Sequence, residues 1–284
     1  MSSTGKQLRL GRITNRKSGK IFLVTFDHGT CLGPLPGGEN VRSTIQRICD
    51  GSPDCIMITP GIARAAADIL AGRTPVVARI DVTATVLGPD ITNDNLISSV
   101  DTALRLGADG VGLFSVLGVE REAQLSTKVG QVADECDRWG VPLLLEMLPP
   151  ESLEYQFRKE TKREWPASVE HLMFCARLAA EQGADIVKTF YTGDPRSFAR
   201  VVESTPIPVL VLSGPWANDT RQLFSFVRDA IDAGAAGVSM GRNIWQHDHP
   251  AAVTRALAGV IHQGWNAAQA MEFLQAELAG SKTR

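Results

Sequence analysis

The chain lacks the features that mark several protein classes. Its cysteines are few: five in 284 residues, at positions 31, 49, 55, 136 and 175, an odd number with no CxxC spacing. That pattern argues against a disulfide framework or a structural zinc site, and the thiols are expected to be buried in a reducing cytoplasm. No apolar run approaches the ~18 residues of a membrane span, and the N-terminal stretch MSSTGKQLRLGRI has no apolar core of the kind a signal peptide needs. A cytosolic chain without a membrane partner is the expectation. There is also no charge excess, since the formal net charge is -2. Nothing in that balance draws the chain to nucleic acid, so any anionic ligand has to be met by a local site. Neither GxGxxG nor GxxxxGK[ST] occurs, which removes the dinucleotide and P-loop readings. What is present, 44% hydrophobic and 21% charged residues, suffices for one sizeable core. With no Pro-, Gly- or Ser-rich linker to divide it, the whole of 1–284 reads as one domain.

Internal similarity organises the chain. LGADGVGLFSV from 106, QGADIVKTFY from 182 and AGAAGVSMGRN from 233 share a Gly-Ala opening that closes a helical pattern and starts a short apolar run. Helix, glycine at the C-cap, then a strand buried on both faces is the grammar of α/β units with parallel strands. IFLVTF, CIMITP, PVVARID, PLLLEML and PVLVLSG supply the other runs, which makes eight strands. Between them lie helical patterns such as NVRSTIQRIC, NLISSVDTALRL, SVEHLMFCARLAAEQ and NDTRQLFSFVRDAIDA. Eight β-then-α units in about 250 residues predict a (βα)8 TIM barrel, with a doubly wound sheet as the alternative. The polar stretch at 149–166 reads as an expanded loop after the fifth strand, on the face where barrel active sites are built.

Polar residues at the C-terminal ends of these strands form a coherent set: Asp27 and His28, Arg79 and Asp81, Glu146, Lys188 and Tyr191, Ser213 and Gly214, then Ser239, Gly241 and Arg242. Lys188 stands inside the run IVKTFY, where an ammonium is costly unless its proton leaves or a partner is found. If the proton leaves, the neutral amine is a nucleophile that forms Schiff bases with carbonyls. The alternative is a structural lysine paired with a carboxylate on a neighbouring strand. Asp27 and Glu146 are candidates for the proton transfers such chemistry needs, and Tyr191 is placed at the pocket rim. Asp81 reads instead as a cap on the following helix. The strand-seven and strand-eight endings, LSG and SMGRN, predict a phosphate site in which Ser213, Gly214 and Gly241 offer backbone and Arg242 a charge-assisted clamp, with His28 and Arg79 also toward substrate. His247, His249 and His262 read as capping or surface residues, and Trp216, Trp245 and Trp265 as packing. No metal or cofactor is expected.

TFDHG at 25, IVKTFY at 186, the strand-seven SG and GVSMGRNIWQHDHP at 237 together resemble the DeoC/LacD/archaeal-type class I aldolase group. The resemblance spans nearly the whole chain. It implies a (βα)8 barrel that assembles into homo-oligomers, often decamers, with Lys188 as the Schiff-base lysine, Asp27 as an acid/base and Ser213, Gly214, Gly241 and Arg242 around a phosphate. It further implies cleavage or formation of a C–C bond in a phosphorylated ketose or related keto-phosphate, with dihydroxyacetone phosphate as donor. A thiolase- or transaldolase-like transfer on the same lysine, or a barrel that only binds sugar phosphates, are the alternatives. The chain departs from the archaeal aldolase pattern in two places. Leu148 occupies the position of the family's tyrosine acid/base, which shifts that role to Glu146. In Ser213-Gly214-Pro215-Trp216, a proline without an amide hydrogen replaces a second glycine.

Overall fold

The computed structural model describes residues 3–152, 167–213 and 219–281. Gly214, Pro215 and Trp216 lie outside the described residues, as does the stretch expected to be a loop beyond residue 152. Eight parallel strands close a barrel: β1 (Ile21–Thr25), β2 (Cys55–Ile58), β3 (Val76–Arg79), β4 (Gly110–Val116), β5 (Leu143–Leu148), β6 (Ile186–Phe190), β7 (Val209–Leu212) and β8 (Gly237–Met240). Each pairs with its neighbours in sequence, and β1 closes the ring on β8 with Ile21 opposite Gly237 and Val24 opposite Met240. The TIM barrel is therefore the fold, and the doubly wound sheet is excluded. The repeat glycines do what the sequence asks of them. Gly107, Gly183 and Gly234 all take positive φ, at +81°, +91° and +99°, where a side chain would be strained.

The interior is layered. Ile21, Leu23, Cys55, Met57, Val77, Leu144, Ile186 and Leu210 form an apolar plug at the N-terminal end of the barrel. Helix Thr4–Ile13, not foreseen as an element, stoppers that end by adding Ile13 to the plug. Lys6 anchors the helix through ion pairs with Asp137 and with Asp185, the latter at 2.9 Å, and Arg9 Nη1 donates to Gly140 O at 3.0 Å. With one end stoppered, the polar residues are confined to the other.

The helical patterns become Val41–Asp50, Val169–Glu181 and Thr220–Asp232, close to where they were expected. The pattern beginning at Asn95 departs from this. Asn95–Leu96 pairs antiparallel with Asp81–Val82 in a short ribbon, and the helix starts only after Ser99, whose side chain accepts from Thr102 N. Four of the five cysteines are buried and Cys31 is partly so. Among the described residues no helix is long and apolar enough to cross a membrane.

Candidate active site

The strand register brings the two central candidates together. Glu146 on β5 is the direct partner of Lys188 on β6. Lys188 Nζ donates to Glu146 Oε2 at 2.7 Å, with side-chain exposures of 7% and 3%. The desolvated ammonium has therefore found a carboxylate on the next strand, which is the pairing the sequence left open. Both line one narrow cavity with Asp27, His28, Arg79 and Arg242.

Asp27 is buried beside Arg79, whose Nη1 donates to Asp27 Oδ2 at 2.9 Å. Burial works to raise the Asp27 carboxyl, but the charges around it, that of Arg79 foremost and that of Lys188 as well, outweigh it and hold the group below the usual carboxylate range. Asp27 is thus an ionised acceptor. His28 has the opposite problem. Its ring, with the side chain 18% exposed, stands edge-on to Trp245, with centroids 5.6 Å apart, and desolvation pushes it down to about 3 despite Asp27 Oδ1 at 3.6 Å. The imidazole is neutral at any physiological pH, so it offers a hydrogen bond and no charge.

Asp81 was expected to cap a helix, and the structure corrects that placement; Arg79, expected toward substrate, lines the cavity and is held there by carboxylates. Asp81 is fully buried, takes an ion pair from Arg79 and another from Lys128 Nζ at 2.7 Å, and accepts from Phe114 N at 2.8 Å. It lies two residues after Arg79, so the alternation of a strand turns both inward. Asp94 joins the group through an ion pair to Lys128. Three carboxylates, Asp27, Asp81 and Asp94, thus face two cations, Arg79 and Lys128. Burial, helped by the neighbouring Asp81 charge, pushes the Asp94 carboxyl up to about 8. Arg79, its charge held by these carboxylates and its guanidinium 5.7 Å from the Phe114 ring centre, is a rigid prop for Asp27.

Tyr191 is also corrected. Its ring packs on Phe198 and Phe226, at centroid distances of 5.2 and 5.3 Å, and so faces the helices Pro195–Glu203 and Thr220–Asp232 rather than the pocket. Beside β1, Gly241 precedes the short helix Arg242–Trp245, and a Cβ there would lie 2.5 Å from His28 Cε1 and 2.6 Å from Thr25 Oγ1. Only glycine admits that approach. Ser213 is partly buried, and its carbonyl accepts a 3.5 Å contact from Asn243 Nδ2.

Lys128 and Asp94 were missed, though Lys128 left a signal. It sits on the apolar stripe Leu125, Val129, Val132 and Cys136 of helix Glu122–Trp139, where a lysine needs a buried partner. Trp245 is a packing residue, as expected, with Nε1 donating to Thr25 O at 3.0 Å. His249 is at the N-cap position of helix Pro250–Gln263 without a side-chain cap bond, and His262 joins Ser18 (2.8 Å) to Asp54 (3.1 Å).

A buried lysine-carboxylate pair at the polar end of a (βα)8 barrel is the setting for Schiff-base chemistry, and comparison with known proteins agrees. Residues 21–247 match the model of the DeoC/LacD family aldolases. The chain is 35% identical over 262 residues to a 2-amino-3,7-dideoxy-D-threo-hept-6-ulosonate synthase of Halobacterium salinarum, covering 92% of this chain and 93% of the relative. It is 34% identical over 257 residues to a 2-amino-4,5-dihydroxy-6-oxo-7-(phosphonooxy)heptanoate synthase of Streptomyces griseus, covering 90% of each. Among solved structures, an archaeal fructose-1,6-bisphosphate aldolase with its catalytic lysine covalently bound to the carbinolamine intermediate superimposes with a TM-score of 0.77 at 26% identity. That match covers 90% of this chain and 98% of the archaeal one. The chain belongs to the DeoC/LacD family and is a class I aldolase.

Proposed function

We propose that Lys188 is the Schiff-base lysine, that Glu146 and Asp27 move its protons, and that the donor is dihydroxyacetone phosphate. The observation that carries this reading is the 2.7 Å contact between Lys188 Nζ and Glu146 Oε2 in a cavity shared with Asp27. In that contact a proton can pass from ammonium to carboxylate, which leaves a neutral amine and a carboxylic acid. The amine attacks the donor ketone, the acid returns its proton to the oxygen, and water leaves to give the iminium. Asp27, held ionised by Arg79, is suited to take the proton from the adjacent hydroxymethyl carbon, which makes the enamine. The enamine carbon then bonds to an aldehyde carbon, whose oxygen takes up a proton, and hydrolysis frees Lys188. Cleavage is the same sequence reversed, with the iminium as electron sink.

The compound in the Streptomyces griseus relative's name supports the donor. It is a β-hydroxyketone with a phosphate on carbon 7, and breaking its 4,5 bond yields dihydroxyacetone phosphate and a four-carbon amino aldehyde. For the phosphate, Arg242, on the cavity wall, gives a cation, and Gly241 before it packs closely on His28 and Thr25. Ser213, just after β7, completes this reading among the described residues. The test is hydrogen exchange at the donor's hydroxymethyl carbon in deuterated water with no acceptor present, followed by NMR. Exchange by the wild type and none by Lys188→Ala is the expected result. Exchange undiminished in Lys188→Ala would overturn the assignment.

A further inference from the structure

The cavity around Lys188 and Glu146 is narrow, about 40 Å³, which suits the reacting carbons and little else. Beside it opens a chamber of about 320 Å³, within the roughly 300–1,000 Å³ typical of ligand sites. Asp27, His28 and Thr30 line both, so the two spaces share the carboxylate beside the reacting centre as a wall. The chamber's walls are Phe26, Pro34, Leu35, Val41, Ile62 and Trp245, contributed by the end of β1, the segment after it and helices Val41–Asp50, Pro60–Ala65 and Arg242–Trp245. Its charges are also distinctive. Among the described lining residues the charged groups are the carboxylates Asp27 and Glu39, with His28 neutral, and no lysine or arginine takes part.

We propose that this chamber is the subsite for the acceptor's chain, and that the acceptor is an uncharged, apolar aldehyde. This rests on the aldolase reading above and names the second substrate of that same site. An aldehyde whose carbonyl lies against Asp27 has its remaining carbons directed into a space that is apolar and of fitting volume. A phosphorylated or carboxylated acceptor would instead bring its anion toward Asp27 and Glu39, with no lysine or arginine among the described lining residues to receive it. The acceptor therefore differs in class from the four-carbon amino aldehyde contained in the Streptomyces griseus relative's product.

The test pairs dihydroxyacetone phosphate with two acceptor series, hexanal and phenylacetaldehyde against glyceraldehyde 3-phosphate and 2-amino-4-oxobutanoate, and reads kcat/KM for each. It uses wild type, Ile62→Asp and Leu35→Asp, two wall changes at partly exposed positions outside the proposed machinery. In parallel, the donor is trapped on Lys188 with borohydride in every variant. We expect at least a tenfold preference of the wild type for the apolar series. In either variant that preference should fall about tenfold or more, through KM, while donor trapping is unchanged. Donor trapping with equal or better use of the charged series overturns the subsite and leaves the aldolase reading standing. Equal losses in both series, with a changed sedimentation coefficient, assign the chamber to a contact between copies of the chain and also overturn it. Absence of trapping in the wild type overturns the aldolase reading and the subsite with it.

Discussion

Replacing Glu146 with leucine leaves the Lys188 ammonium without its partner in a site where the two side chains are 3% and 7% exposed. Removing one member of a buried pair costs about 3–5 kcal/mol, because the remaining charge keeps its desolvation penalty without the 2.7 Å attraction that offset it. For a chain of this size each kcal/mol moves Tm by roughly 2–4 °C, so Glu146→Leu should melt about 6–20 °C below wild type. Adding Lys188→Met removes the stranded charge as well. The double variant should then recover most of the loss, with a coupling energy of about 2 kcal/mol or more between the two sites. Urea unfolding of the wild type, both single variants and the double variant at pH 7 measures the whole cycle. The reasoning is refuted if Glu146→Leu lies within 1 kcal/mol of wild type (on the scale of an exposed pair), or if the two single losses simply add.

Gly241→Ala puts a Cβ 2.5 Å from His28 Cε1 and 2.7 Å from Thr25 O, so it should destabilise by about 1–3 kcal/mol and lower kcat/KM; a variant with wild-type melting and rates would remove the close-approach argument. Asp94 holds in the native state a proton that the unfolded chain sheds near 3.8, so its contribution favours folding at low pH and is lost as pH rises through about 8. Asp94→Asn, neutral throughout, should flatten the fall in unfolding free energy between pH 4 and 8, and an unchanged slope contradicts the charge count of three carboxylates against two cations. His28 has the reverse sign: it is held neutral and pushed down to about 3, so its contribution is present above pH 6.5 and is lost as pH falls toward 3. His28→Asn should lose less stability than wild type between pH 6.5 and 4, measured by urea unfolding at each pH.

The barrel was legible because its strands are buried on both faces and so read as uninterrupted apolar runs, punctuated by glycines that only a C-cap explains. Lys188, Glu146 and Asp27 were legible for a related reason, as charges in or at the end of apolar runs, which have to find partners. The same alternation that turns Lys188 inward turns Tyr191, three residues later, outward, and that signal was present but not used. Asp81 was misread because a carboxylate after a strand is locally indistinguishable from a helix cap. Only the three-dimensional closeness of Lys128, 47 residues away, shows that it belongs to a buried network. Asp94, in the polar stretch TNDNL, left no local signal at all, since its environment is made by residues distant in sequence. Helix Thr4–Ile13 was overlooked because Gly5 and Gly11 interrupt a short sequence with few apolar residues. Its role as a stopper follows from Ile13 and Lys6 meeting the barrel floor.

The most direct measurement is borohydride reduction in the presence of dihydroxyacetone phosphate, followed by peptide mass mapping. The account predicts one covalent adduct of the donor's mass, on Lys188, absent from Lys188→Ala. An adduct on another lysine, or none although the donor is shown separately to bind, would contradict it.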